Sequence, residues 1–346
     1  MHASGTEYIE LSGTHGGGQV LRSSLGLSLL TGKVIKLTGI RGARSRPGLR
    51  SQHMACVDAA ARISSARVHG NQHGSEWLRF EPGTVEAGEY QFDLGTAGSC
   101  TLVLQTILPA LMLGKRASRI TLKGGTHNPM APPFDFIERA FAPLLARMGP
   151  QLSLELIRPG YYPRGQGKMV VEIHPAAKLK PLELIERGRI VETRARAYLT
   201  KRSHTVADRA FKVVHKQLDW PFRKMKVVAD RAGLHPGNVL LLEVESEGLT
   251  EVFTGFGLQH VRAEVMARRV CGHAESYLKQ DGPVGAYLAD QLLIPLALAG
   301  SGTFRTVAPS DHTRTNMQVI EKMLPVKFES TEAAEGDAWE IRVRSI

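Results

Sequence analysis

The sequence predicts an α/β (α+β) protein in which a helix–strand–loop–helix unit occurs three times, with a smaller α/β domain inserted before the third unit. Three observations predict it. The same order of helical and extended stretches recurs, with glycine stops after the helices. Helix starts fall near residues 19, 98 and 283, and the second interval exceeds the first by about a hundred residues. Those additional residues carry strand-like and helix-like stretches of their own.

In the first unit, Gly18-Gln19-Val20-Leu21-Arg22 opens a helix that runs to Leu30 and stops at Thr31-Gly32. Strand-like Val34-Ile35-Lys36-Leu37 follows, then an Arg/Gly loop and a helix from about Arg50 to Ser64. The second unit starts at Gly98-Ser99-Cys100 with a helix from Thr101 to Leu113. Strand-like Arg119-Ile120-Thr121-Leu122, a Gly/Pro loop and a helix from about Pro133 to Met148 complete it. The third starts at Pro283-Val284-Gly285, with a helix from Ala286 to Leu298 and stops at Gly300 and Gly302. Strand-like Thr303 to Val307 then leads through the His312 loop to a helix ending near Met323. These units place a large domain at 1–182 plus 282–346 and an inserted domain at 183–281. Within the insert, Arg189–Leu199, Asn238–Val244 and Phe253–Phe256 read as strands, and Ala207–Leu218 and Ala263–Tyr277 as helices.

Composition bounds the partners. The chain is 42% apolar and 22% charged, which fits an ordered globular protein. Lys and Arg number 44 against 33 Asp and Glu, a net +11 that favours polyanionic partners. The three cysteines, Cys56, Cys100 and Cys271, form no CxxC pair, so neither a disulfide framework nor a cysteine zinc site is expected. No basic region followed by an apolar core opens the chain, and the longest apolar stretch, Leu102–Leu113, is short and broken by Gln105, Thr106 and Pro109. The expectation is a soluble cytoplasmic protein with no membrane partner.

The chemistry concentrates in loops beside helices. His312 lies between the strand-like Thr303–Val307 and a helical stretch opening at Asn316-Met317-Gln318. Such a strand-to-helix corner offers free N–H groups to phosphate, and a neutral imidazole there can attack phosphorus. Ser12-Gly13-Thr14-His15-Gly16-Gly17-Gly18-Gln19 lets backbone N–H groups approach an anion closely, but it lacks the Gly-Lys-Ser/Thr of a Walker loop. His15-Gly16-Gly17-Gly18 is similar to an esterase oxyanion sequence, yet no serine lies in Gly-x-Ser-x-Gly. Arg41, Arg44, Arg46 and Arg50 repel one another unless anions lie among them, and guanidinium forks match phosphate oxygens. Arg22, one turn into the preceding helix, is placed to join them. The proline-stiffened loop Lys123–Pro133 offers a flat wall for a planar base, or simply a rigid turn. No HExxH or paired histidine spacing supports a fixed zinc site. Gln105 interrupts an apolar helical face. Tyr287 and Asp290, three apart, share one face and can reach one ligand.

Together these segments resemble the RNA 3'-terminal phosphate cyclase family. The matching stretches are Gly16-Gly17-Gly18-Gln19 with Leu21-Arg22, the Arg41–Gln52 loop, Gly98–Thr106, and Gly124-Gly125-Thr126 with Asn128-Pro129 and Ala131-Pro132-Pro133. Tyr287-Leu288-Ala289-Asp290-Gln291 and His312 with Thr315-Asn316 complete them. They span nearly the whole chain, and the match weakens between about 200 and 240. The resemblance implies three βαβαββ-type units. It implies use of ATP with a divalent metal, Mg²⁺ or Mn²⁺. His312 would take AMP from ATP and pass it to an RNA 3'-phosphate, and the neighbouring 2'-hydroxyl would then close a 2',3'-cyclic phosphate. Gln105, Pro132, Tyr287, Leu288, Ala289, Asp290 and Gln291 would line the nucleotide site, with Tyr287 and Pro132 enclosing adenine. Arg22, Arg41, Arg44, Arg46 and Gln52 would bind the RNA end and the ATP phosphates. Asp290 would orient either the nucleotide or the histidine ring. RNA 3'-phosphate ends are the expected partner. DNA 3'-phosphate ends and a homodimer are left open.

One departure stands out. Relatives carry an acidic residue just before the three glycines that helps hold the metal. In this shorter loop His15 stands there and Ser12 occupies the earlier acidic place. Imidazole is a poor Mg²⁺ ligand but binds Mn²⁺ or Co²⁺, so an altered metal preference is expected. Two other protein classes share parts of this pattern. A non-catalytic cyclase-like protein of ribosome assembly would not need His312, Asp290 and Gln105. An enolpyruvyl transferase would share repeated α/β units and basic loops but ignore ATP.

Overall fold

The computed structural model of the chain, described over residues 7–230, 232–333 and 337–346, starts with β1 (Ile9–Ser12), α1 (Gly18–Thr31), β2 (Ile35–Thr38), α2 (Ser51–Ser64), β3 (Arg67–His69) and β4 (Leu78–Glu81). β1 pairs parallel to β2, β2 antiparallel to β4, and β4 antiparallel to β3. A parallel pair needs a crossover, and α1 supplies it. Ile35, Leu37, Leu78 and Phe80 alternate inward, so one sheet face buries against the helices while the other carries charge. α1 ends where Gly32 adopts φ 71°, a left-handed stop that glycine makes without a Cβ clash.

Next come β5 (Glu89–Asp93), α3 (Cys100–Leu111), β6 (Ser118–Gly124), α4 (Phe134–Phe136), α5 (Ala142–Met148), β7 (Gln151–Arg158) and β8 (Gly167–His174). A π turn over Ile137–Phe141 joins α4 to α5, so the helix expected from Pro133 to Met148 is continuous but irregular. The strand order is β5-β6-β8-β7, with the first pair parallel and the others antiparallel.

β9 (Glu183–Leu184) precedes β10 (Ile190–Thr200), α6 (Thr205–Leu218), β11 (Met225–Ala229), β12 (Gly237–Ser246), β13 (Thr250–Phe256) and α7 (Ala263–Lys279). After these come α8 (Ala286–Ala299), β14 (Ser301–Thr306), α9 (Asp311–Met323), β15 (Val326–Glu332) and β16 (Trp339–Ser345). β9 pairs parallel to β14, β14 antiparallel to β16, and β16 antiparallel to β15. This sheet therefore has the same order and strand senses as the first two. α3 and α8 also correspond along their length: Gln105 and Gln291 lie five residues into each helix, and Pro109 and Pro295 nine residues in.

β11-β10-β12-β13 forms a fourth sheet. β12 reads Val239-Leu240-Leu241-Leu242 rather than alternating apolar with polar, as a strand covered on both faces should. Leu240, Leu242 and Val244 pack with Met266, Val270 and Phe211 from α7 and α6. Val239 and Leu241 face the opposite way and join the main core.

Two boundaries differ from the sequence reading. Glu183–Leu184, placed at the start of the insert, pairs with β14. α9 opens at Asp311 and not at Asn316, because Ser310 caps it: the Ser310 hydroxyl accepts the Thr313 N–H at 3.1 Å.

Candidate active site

His312 stands in the first turn of α9, where N–H groups lack intrahelical partners. Its Nδ1 lies 2.8 Å from Oδ2 of Asp290 on α8. An ionised carboxylate only accepts, so Nδ1 carries the proton and Nε2 keeps its lone pair. The histidine side chain is 40% exposed and the aspartate 14%, so the ring is open to solvent and the carboxylate largely covered. The second Asp290 oxygen, Oδ1, is buried and has no hydrogen-bond partner among the described residues.

Beneath this pair runs a polar relay between helices. Gln291 Oε1 accepts from Gln105 Nε2 at 2.6 Å, and Gln105 Oε1 accepts from Arg22 Nε at 3.0 Å. Arg22 also donates to Gln19 Oε1 at 2.7 Å. Gln19 donates to Ser23, whose hydroxyl donates to Asn316 Oδ1 at 2.6 Å on α9. α1, α3, α8 and α9 are thereby fixed in register around one point. Among the described residues no carboxylate pairs with Arg22, and burial pushes its pKa down. A guanidinium held only by amide oxygens favours an arriving anion.

The glycine loop supplies the floor. Gly16 and Gly17 have φ of 76° and 60°, a region that side chains resist. The Arg44 guanidinium lies 3.1 Å from where a Cβ on Gly17 would stand, and Thr315 of α9 packs against Gly16. A Cβ on Gly18 would stand 2.7 Å from His53 Nε2 and 2.9 Å from Arg22 NH1. Arg22, Arg44 and His53 therefore meet over one run of backbone N–H groups.

His53 is the functional candidate that sequence reasoning missed. Its Nδ1 accepts the Arg50 N–H at 3.1 Å, so the neutral ring presents Nε2–H to the loop. Burial first, then Arg41, Arg22 and Arg50, push its pKa down to about 3, keeping it neutral. The available signal was its position two residues into α2, at the end of the arginine loop.

The remaining residues divide. Gln52 accepts from the Ser99 N–H and donates to the Ser99 carbonyl at 3.3 Å, joining the starts of α2 and α3. Arg41 donates to the carbonyls of Arg46 at 2.8 Å and Gly48 at 2.9 Å, and so shapes the loop. Arg46 remains on its exposed outside. Tyr287 is 69% exposed beside the site, whereas Leu288 and Ala289 turn into the core and offer no side chain to a ligand. The Pro132 carbonyl accepts the Thr101 hydroxyl at 2.6 Å. Gln19, Gln105, Asp290 and Gln291 line one small cavity with Ile294. His127 is buried between Thr126 and Asp135, and Asp135 also accepts the Tyr198 hydroxyl at 2.7 Å from β10. This network ties the Pro132 loop to the fourth sheet.

Glu251 of β13 braces α8 from below, accepting the Gly285 N–H at 2.6 Å. Burial pushes its carboxyl up to about 8, against hydrogen bonds from Gly285 and Val252. The folded state thus prefers the protonated acid, so stability declines as the pH rises from the ordinary carboxylate range towards about 8. Glu251→Gln should flatten that decline: between about pH 5 and pH 8.5 the wild-type melting midpoint should drop several degrees more than the variant's. Parallel melting curves would contradict it.

No carboxylate lies within the loop Ser12–Gln19, and His15 is exposed. Among the described residues no three His, Cys, Asp or Glu side chains assemble into a metal site. The donor set does not fit a protein-held Mg²⁺. No helix among them is long and apolar enough to cross a membrane.

A family model described as RNA 3'-terminal phosphate cyclase matches residues 13–330. A protein of that name from Ectopseudomonas mendocina is 47% identical over 329 residues, covering 95% of this chain and 96% of its own. One from Salmonella typhimurium is 47% identical over 320 residues, covering 92% and 94%. A likeness to an EPSP synthase structure from Acinetobacter baumannii covers 98% of this chain and 65% of that one, but at 14% identity and a TM-score of 0.35 it carries no argument. By the extent of the family match and by the identity to these relatives, the chain belongs to the RNA 3'-terminal phosphate cyclase family, which is a family of enzymes.

Proposed function

We propose that the protein converts RNA 3'-phosphate ends to 2',3'-cyclic phosphates with ATP, through a histidine–AMP intermediate on His312. The observation that carries this reading is the His312–Asp290 pair at a helix N-terminus, above a glycine loop bordered by cations that pair with no carboxylate among the described residues. Nε2 of His312 attacks the α-phosphorus of ATP, forming an N–P bond as the bond to pyrophosphate breaks. Asp290 holds the Nδ1 proton and balances the charge that develops on the ring. An oxygen of the RNA 3'-phosphate then attacks the same phosphorus, and the N–P bond returns its electrons to the imidazole. The terminal phosphate, a poor electrophile alone, now carries AMP as leaving group. The 2'-hydroxyl attacks it, losing its proton, and AMP departs. Arg22, Arg44 and the neutral His53 position phosphate oxygens, since such transfers depend on placement and charge neutralisation. Tyr287 and Pro132 enclose the adenine.

The same reading takes the three sheets of shared order as βαβαββ units and the fourth as an inserted domain. Support comes from the common strand senses and the Gln/Pro correspondence of α3 and α8. The pairing of β9 with β14 supports a start of the insert after Leu184, where the sequence reading has 183. The buried free thiols Cys56, Cys100 and Cys271 suit the reducing cytoplasm.

The test is whether an RNA 3'-phosphate becomes resistant to phosphatase when ATP is present. Ends that stay phosphatase-sensitive under every metal condition would refute the reading. The His15 loop adds a second expectation. Wild type should work better with Mn²⁺ than with Mg²⁺, and His15→Glu should raise the Mg²⁺ rate by about tenfold or more. Equal Mg²⁺ and Mn²⁺ rates in both proteins would remove His15 from metal selection.

A further inference from the structure

The hairpin loop between β7 and β8 ends in an exposed tip that the catalytic reading does not use. Tyr162 is 61% exposed although Tyr161 beside it is buried, and Pro163 and Arg164 are exposed with it. The tip is anchored on both sides. Gly165 backs onto the loop before α3: a Cβ there would stand 2.7 Å from Ala97 Cα and from the Thr96 carbonyl. That loop continues into Ser99, which Gln52 grips at the phosphate-binding end. On the other side, Gln166 meets His235 at 2.8 Å, and Thr200 donates to the Tyr161 hydroxyl at 3.2 Å. Lys201 and Arg202 follow Thr200, both exposed, with Lys201 fixed by the Leu234 carbonyl at 2.8 Å. Among the described residues no carboxylate pairs with Arg164, Lys201 or Arg202. Asp230 nearby accepts the N–H groups of Ala232 and Gly233.

We infer that this ledge is the track for the single-stranded RNA that leads into the terminal phosphate site, with a nucleobase stacked on Tyr162 and backbone phosphates on Lys201 and Arg202. An exposed aromatic ring beside uncompensated cations is the combination that holds single strands: the ring takes any base by its π face, and the cations follow the backbone. The ledge crosses from the second sheet's loops to the fourth sheet, giving the fourth sheet's domain a part in substrate binding. The inference rests on the RNA-end reading above.

Binding is measured by anisotropy of a dye-labelled single-stranded RNA of about ten nucleotides ending in a 3'-phosphate. Melting midpoints confirm that each variant folds. Tyr162→Ala should weaken binding about tenfold and Tyr162→Phe about twofold or less, because stacking needs the ring and not the hydroxyl. Lys201→Ala with Arg202→Ala should lower the slope of log affinity against log salt by about 1.4, at about 0.7 per phosphate contact. Competition by a nucleoside 3'-phosphate, too short to reach the ledge, should be unchanged in all variants. RNA affinity and salt slope equal to wild type in the alanine variants would overturn the track while leaving ATP-dependent end closure standing. Tyr162-dependent RNA binding by a protein that takes no AMP and closes no ends would uphold the track and refute the catalytic reading.

Discussion

His312→Ala should abolish transfer of AMP from α-labelled ATP onto the protein, a loss of roughly 10⁴-fold or more. The expectation is strong because the site offers no substitute. Two other imidazoles stand at the glycine loop: His15 is the one this reading assigns to the metal, and His53 has its Nδ1 engaged by the Arg50 N–H, so Nε2 bears the proton and has no lone pair to attack with. Cys56 and Cys100 are buried, and burial pushes both thiols up, away from the thiolate. The measurement is a denaturing gel after incubation with labelled ATP, run with Mg²⁺, Mn²⁺ and Co²⁺. A phosphoramidate is acid-labile, so the wild-type band should vanish on acid treatment and be absent from the variant. An acid-stable band, or label retained in His312→Ala, would move the nucleophile elsewhere. A wild type that takes no label with any of the metals would turn the fold into a binding scaffold.

What was legible in the sequence follows from how local each signal is. The starts of α1, α3 and α8 were readable because a glycine or serine precedes an apolar helix and a left-handed glycine follows α1 and α8. His312 was readable because the strand before it and the polar corner are adjacent in the chain. β9 was not, since two residues hold no periodicity and its pairing with β14 spans the whole intervening segment. The partners of Gln105 were equally hidden. Its sequence context is an apolar helix, while it accepts from Arg22 and donates to Gln291, 83 and 186 residues away. The arginine loop announced charge but not its division: Arg44 reaches the glycine loop, whereas Arg41 holds carbonyls of its own loop. The role of His53 depends on a backbone N–H, two arginines from other turns and burial, none of which composition reveals.

Asp290→Asn should be more damaging than Asp290→Ala, and that order discriminates between the two roles open to the carboxylate. If Asp290 orients the ring, its Oδ2 keeps the proton on Nδ1 of His312 and leaves Nε2 unprotonated. An asparagine in the same place can turn its NH₂ towards Nδ1. Nδ1 then becomes the acceptor, the proton moves to Nε2, and the attacking lone pair is lost. Alanine removes the orientation but leaves both tautomers accessible, so part of the population remains competent. The expected loss in adenylylation rate is on the order of 10³-fold for Asn and about 10²-fold for Ala, with the affinity for ATP changed far less than the rate. If Asp290 instead held the nucleotide through its buried, unpartnered Oδ1, asparagine would replace much of that contact and alanine would be the worse variant, with the deficit in KM for ATP. Single-turnover labelling across ATP concentrations separates the two. A rate loss with Asn below Ala assigns Asp290 to the histidine, and a KM defect with Ala below Asn assigns it to the nucleotide.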